Sequence, residues 1–140
     1  MSDNYEGQSI LDIDTSSAQE PTVVPDGEYM IRITGFRKDQ EGNIIRTSDK
    51  GNQYFIVTFD IPQEEMSKGL SKVFSVPTSD MEPKRVNAIK WDLECFKRAF
   101  NLVDINFNNM IGKEGYALLK VTNSIEYGEQ NEIRKFITGA

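Results

Sequence analysis

The chain has 140 residues, a formal net charge of −6, 38% hydrophobic and 27% charged residues, one cysteine and no histidine. That length and composition suit one domain built on a single hydrophobic core. Without histidine there are no imidazole bases, no Ser-His or Cys-His nucleophile pairs and few routes to a zinc site, and the lone Cys95 excludes an internal disulfide.

No apolar run approaches the roughly 20 residues of a membrane span. The opening "MSDNYEGQSI" lacks the basic start and apolar stretch of a signal peptide, so a cytoplasmic protein is expected. Charge is divided unevenly: residues 1–28 hold seven acids and no Lys or Arg, whereas residues 29–140 hold 15 acids and all 16 basic residues. An acidic leader on a near-neutral body is compatible with a nucleic-acid partner, which needs only one basic face.

In chain order, residues 1–24 are polar and acidic with one apolar island, "SILDI", and read as a largely flexible leader; residues 25–140 read as the folded domain. "VPDGEY" is a turn signal that delivers the chain into a strand. "EYMIRITGF" alternates, with Tyr29, Ile31 and Ile33 on one face. A long connection follows, far beyond the two to five residues of a hairpin. "QYFIVTFDI" then sets Phe55, Val57, Phe59 and Ile61 against Tyr54, Ile56 and Thr58, and "LSKVFSV" reads as a shorter third strand.

"SDMEPKRVNAIKWDLECFKRAFNL" is the one helix. Asp80 or Glu82 can cap it, Pro83 sits in its first turn, and Val86, Ile89, Leu93, Phe96 and Phe100 form its core stripe. A second stripe, Ala88, Trp91, Cys95, Ala99 and Leu102, implies cover on another side. That cover is the leader's Ile10, Leu11 and Ile13, a second subunit in a homodimer, or a neighbouring loop. "YALLKVTNS" and "NEIRKFI" close the chain as a strand pair.

Five strands with a helix between the third and fourth is the order of the OB-fold, a mainly-β Greek-key barrel that commonly binds oligonucleotides; an SH3-like barrel is the alternative. The chain also resembles small phage-encoded OB-fold single-stranded DNA-binding proteins over about residues 10–138. The resemblance rests on four pieces in order. They are a P-x-G-x-Y lead-in at Pro25–Tyr29, G-x-x-Y-x-x-x-x-F at Gly51–Phe59, I-G-K at Ile111–Lys113 and N-E-I-x-K-F at Asn131–Phe136. It implies a non-catalytic, sequence-tolerant protein that coats single-stranded DNA in phage replication or recombination, in the host cytoplasm, without a cofactor. Replication or recombination proteins are further implied partners. The chain ends "RKFITGA" where many such binders carry an acidic recruiting tail, so C-terminal recruitment is not expected.

Gripping a single strand takes cations along the phosphates and aromatic faces under the bases. Arg37, Lys38, Arg46 and Lys50 in the long connection supply cations, diluted by Asp39, Glu41 and Asp49. A solvated hairpin extension with Ile44 and Ile45 pairing is the plain alternative for that segment. Arg32, Tyr54, Lys72, Phe74, Tyr127 and Arg134 complete the candidate site, with Arg134 and Lys135 expected on opposite faces of the last strand. Phe74 has a second reading as a core residue, with Lys72 snorkelling past it. The candidate interface is Ala88, Trp91, Cys95 and Leu102. The leader's carboxylates could also compete with DNA for a basic cleft. A rival class is a protein-interaction adaptor on the same fold. A hydrolase built on Asp60, Glu64 and Glu65, or on Glu126 and Glu129, is disfavoured because those carboxylates lie in or beside turns.

Overall fold

The computed structural model describes residues 12–138. Its strands are β1 (Gly27–Phe36), β2 (Arg46–Thr47), β3 (Gln53–Asp60), β4 (Leu70–Ser75), β5 (Glu114–Ser124) and β6 (Gly128–Ile137). One α-helix, α1 (Pro83–Ala99), lies between β4 and β5, and a single 3-10 turn at Phe107–Asn109 precedes β5. The chain is therefore mainly β with one helix. Its six strands form one antiparallel sheet that is not closed, ordered β2-β3-β1-β5-β6 with β4 on the other edge of β3.

The expectation of five strands is corrected by β2. Arg46 pairs with Tyr54 and Thr47 with Gln53, so the long connection returns to the sheet before turning into β3. This extra ribbon makes α1 follow the fourth strand and not the third. Alternation along β3 holds throughout, with Phe55, Val57 and Phe59 buried and Tyr54, Ile56 and Thr58 on the outer side.

The core centres on five phenylalanines. Phe96 and Phe100 of α1 meet Phe59 of β3, Phe74 of β4 and Phe136 of β6, with Phe74 and Phe96 centroids 4.7 Å apart. Each such ring contributes about 1.5–3 kcal/mol on burial. The expected helix stripe thus reaches the core through Phe96 and Phe100, with Leu93 packed against it. Glu82 occupies the N-cap position but makes no side-chain cap, and the Asp80 carboxylate accepts the Thr78 hydroxyl instead. Pro83 starts the helix, as its missing N–H allows.

At the other end of α1, Asn101 adopts φ 56°, the Leu102 N–H donates to Lys97 O at 2.8 Å and the Asn101 N–H to Arg98 O at 3.3 Å. This is a Schellman closure. Leu102 therefore lies past the helix and packs against the core, which removes it from the expected interface stripe.

β4 and β6 form the two sides of an open seam, and a short piece of chain holds one end of it. Thr22 bridges Ser67 in parallel; its N–H donates to Met66 O at 3.2 Å and its carbonyl accepts the Lys68 N–H at 2.7 Å. Val24 is buried, its N–H donating to Asn131 Oδ1 and its carbonyl accepting from Asn131 Nδ2, both at 2.9 Å. The Lys68 ammonium donates to Glu129 O at 2.8 Å across the same end. The packed body therefore begins near Thr22 and not at residue 25, because Val24 supplies core. Among the described residues, no helix is long and apolar enough to cross a membrane.

Candidate nucleic-acid interface

The long connection is built, not slack. The Asp39 carboxylate accepts the N–H groups of Asn43 (2.8 Å) and Glu41 (2.9 Å), while the Asp39 N–H donates to Asn43 O at 3.0 Å and Gly42 takes φ 86°. The Asn43 amide in particular holds the Asp39 carboxyl below its ordinary range. Ile44 and Ile45 are half-buried against the core and carry the chain back to β2. Ser48 and Asn52 then close the β2–β3 turn, with Gly51 at φ 85°. The hairpin extension is thus paired through Arg46 and Thr47, not through Ile44 and Ile45 as expected, and the loop also carries Arg37, Lys38 and Lys50 exposed on its surface.

Beside that loop lies the outer face of β3 and β4. Tyr54, Ile56 and Thr58 stand opposite Ser75, Val73 and Ser71. The Arg46 guanidinium sits over the Tyr54 ring at 5.8 Å, within cation–π range. Val73 is 55% exposed beside Ile56. Arg37 donates its N–H to Ile56 O at 3.0 Å and lines a 130 Å³ hollow with Ser71, Thr122 and Gln130. The first loop and the final hairpin thus approach the same part of the sheet. Tyr127, at the tip of that hairpin, is 63% exposed, and the N–H groups of Glu126 and Tyr127 both donate to Ser124 Oγ at 3.1 Å.

The remaining candidates stand apart from Tyr54, two of them in a groove that Val73 and Ser75 of this face also line. Arg32 is held by Asp60 at 2.6 Å, a hydrogen-bonded ion pair that raises the guanidinium pKa further and neutralises its charge locally. Asp60 still lines one hollow with Glu64 and Glu65, its charge answered there by Arg32. Phe74 has 0% exposure and stacks on Phe55 at 5.4 Å, so it is a core residue and cannot stack a base. Lys72 caps that ring, its ammonium 5.1 Å from the Phe74 centroid and 3.4 Å from Asp92.

Arg134 joins Lys72 in a groove beneath α1. Lys135 joins it too, against the expectation of opposite faces. The register slips between Leu118 and Leu119, whose partners are Lys135 and Ile133, so Arg134 is the extra residue of a β-bulge. Ile133 and Phe136 both point inward, and both basic residues between them are exposed.

Of the interface candidates, Ala88 and Trp91 are exposed and Cys95 is half-buried at the groove. The expected leader cover is not made by Ile13, which is exposed; Ile10 and Leu11 lie outside the described residues. Sequence reasoning set Ile56 and Thr58 on the face of Tyr54 but left them, and Val73, out of the candidate site. It also passed over Arg85 in the groove, which only the tertiary fold brings there. Among the described residues, no three His, Cys, Asp or Glu side chains gather as a metal site. Neither a scan against protein-family models nor a search of curated proteins found a match to this chain.

Proposed function

We propose that this protein is a non-catalytic, sequence-tolerant single-stranded DNA-binding protein of the OB-fold type, serving phage replication or recombination. The fold reading draws support from the strand path β4-β3-β1-β5-β6, with α1 between β4 and β5 and the seam lying where a barrel would close. The observation that carries the function is the Arg46–Tyr54 pair on the outer face of β3, beside Ile56 and Val73 and next to the cationic loop. It joins one aromatic platform to several cations, the minimal equipment for holding a strand by its bases and its backbone. Arg37, Lys38, Arg46 and Lys50 follow the phosphates, Tyr54 stacks a base, and Tyr127 reaches the strand from the final hairpin.

Titration with oligo-dT at a series of salt concentrations tests this reading. With about four phosphates neutralised, log K against log salt has a slope near −3. Tyr54→Ala weakens binding by about 1–3 kcal/mol, while Tyr54→Phe retains most of it. A flat salt dependence, or equal affinity in Tyr54→Ala, overturns the reading; near-zero affinity at low salt selects the protein-interaction adaptor instead.

A further inference from the structure

Beneath α1, between the later residues of β4 and β6, runs a groove of about 700 Å³. Val73, Ile89, Cys95 and Phe136 give it an apolar floor, and Trp91, 56% exposed with Arg98 over its ring at 5.3 Å, forms one wall. Its charge is one-sided. Lys72 is met by Asp92, whereas Arg85, Arg134 and Lys135 on the rim have no ion pair among the described residues. An apolar trough with uncompensated cations on its rim suits an acidic peptide carrying a large aliphatic side chain. A nucleic-acid strand matches the charge but offers the floor little aliphatic surface beyond thymine methyl groups and sugar edges.

The chain carries such a peptide. Ile13 is 64% exposed between Asp12 and Asp14. Asp14 accepts the Ser16 N–H at 2.9 Å, which lowers its pKa and keeps it charged. Because Thr22 bridges Ser67 in parallel, just ahead of β4, residues 22–24 run in the direction of β4 and enter at the end of the seam away from the groove, which lies along the later residues of β4 and β6. Ile13 is exposed and does not fill the groove of its own chain.

We propose that the Asp12–Asp14 segment of one copy docks in the α1–β4–β6 groove of a second copy, with Ile13 on the floor and the two carboxylates against Arg85, Arg134 and Lys135. The contact is head-to-tail, leader to groove. Each added copy brings a fresh leader and a fresh groove, so association continues beyond the dimer. The inference goes beyond DNA binding and stands without it.

Trp91 is the only tryptophan, so its emission reports on the groove. In the full chain without DNA, raising the concentration from low micromolar to several hundred micromolar moves Trp91 emission to shorter wavelength. The weight-average mass from sedimentation rises in step, and salt weakens both. The exposed-residue variants Asp12→Lys/Asp14→Lys and Arg134→Glu/Lys135→Glu each weaken association by roughly tenfold. Mixing the two restores it, because each altered leader or groove then meets an opposite charge. A wild-type chain that stays monomeric throughout overturns the proposal. So does a short-wavelength emission that is independent of concentration and lost in the leader variant, which places the leader in its own groove. Association unchanged by both variants overturns it as well.

Discussion

Asn131 satisfies both backbone polar groups of Val24 with one side chain, acceptor to N–H and donor to carbonyl. Each buried group left without a partner costs about 1–3 kcal/mol, so Asn131→Ala lowers the unfolding free energy by at least that much, read as a lower urea midpoint. Asn131→Asp keeps the acceptor but sets a carboxylate oxygen against the Val24 carbonyl, so it too falls below the wild type; equal midpoints for all three proteins would refute the role. Gly115 is constrained from the other direction. A Cβ there would stand 2.6 Å from Ala99 O, the backbone of the last turn of α1. Gly115→Ala therefore costs about 1–3 kcal/mol by overpacking, measurable as a reduced denaturation midpoint with an unchanged m-value. Neither residue announces itself in the sequence: an Asn in a strand and a Gly before one have many ordinary explanations, and only the packed neighbours decide between them.

At the level of elements, strands β1, β3, β4, β5 and β6 and the helix were legible because period-two and period-3.6 patterns survive burial. What was not legible came from local breaks in those periods. The bulge at Arg134 turns two basic residues to one side, and the closure at Asn101 detaches Leu102 from the helix it seemed to continue. Four of the ten candidate residues changed neighbourhood, Arg134 through the bulge and the others through partners that only the fold supplies: Phe74 went to the core, Arg32 to Asp60, and Lys72 and Arg134 to the groove. The loop between β1 and β2 has its own testable device. Because hydrogen bonds from Asn43 and Glu41 lower the Asp39 pKa, the contribution of that carboxylate to loop order is complete above the unfolded value of about 3.9. It is lost as pH falls through the lower folded value. The amide resonances of Glu41 and Asn43 shift together in that acidic range, and Asp39→Asn removes the transition; shifts centred at or above the ordinary carboxylate range would contradict the geometry.

For the molecule as a whole, charge and shape are sorted by region. The acids of residues 12–20 sit on exposed chain, the loop cations flank the outer face of β3, and a second group of cations rims the groove under α1. A net charge of −6 conceals both basic regions, and only the division of charge along the sequence hinted at them. The open seam between β4 and β6 was the least predictable feature. Five strand-like runs suggest closure, but whether the last two edges meet depends on the lengths and bulges of all the strands together.

The fastening of Thr22 and Val24 into that seam sets a floor for shortening the protein from its amino end. Clipping that stops at Glu20 touches, among the described residues, only exposed chain, and the body keeps every backbone bond described for the seam. Three or four residues further, the cut withdraws Val24 from the interior, takes from Asn131 both of its Val24 partners and frees the segment around Ser67, so a trimmed form that begins at Pro25 is a weaker protein and not merely a smaller one.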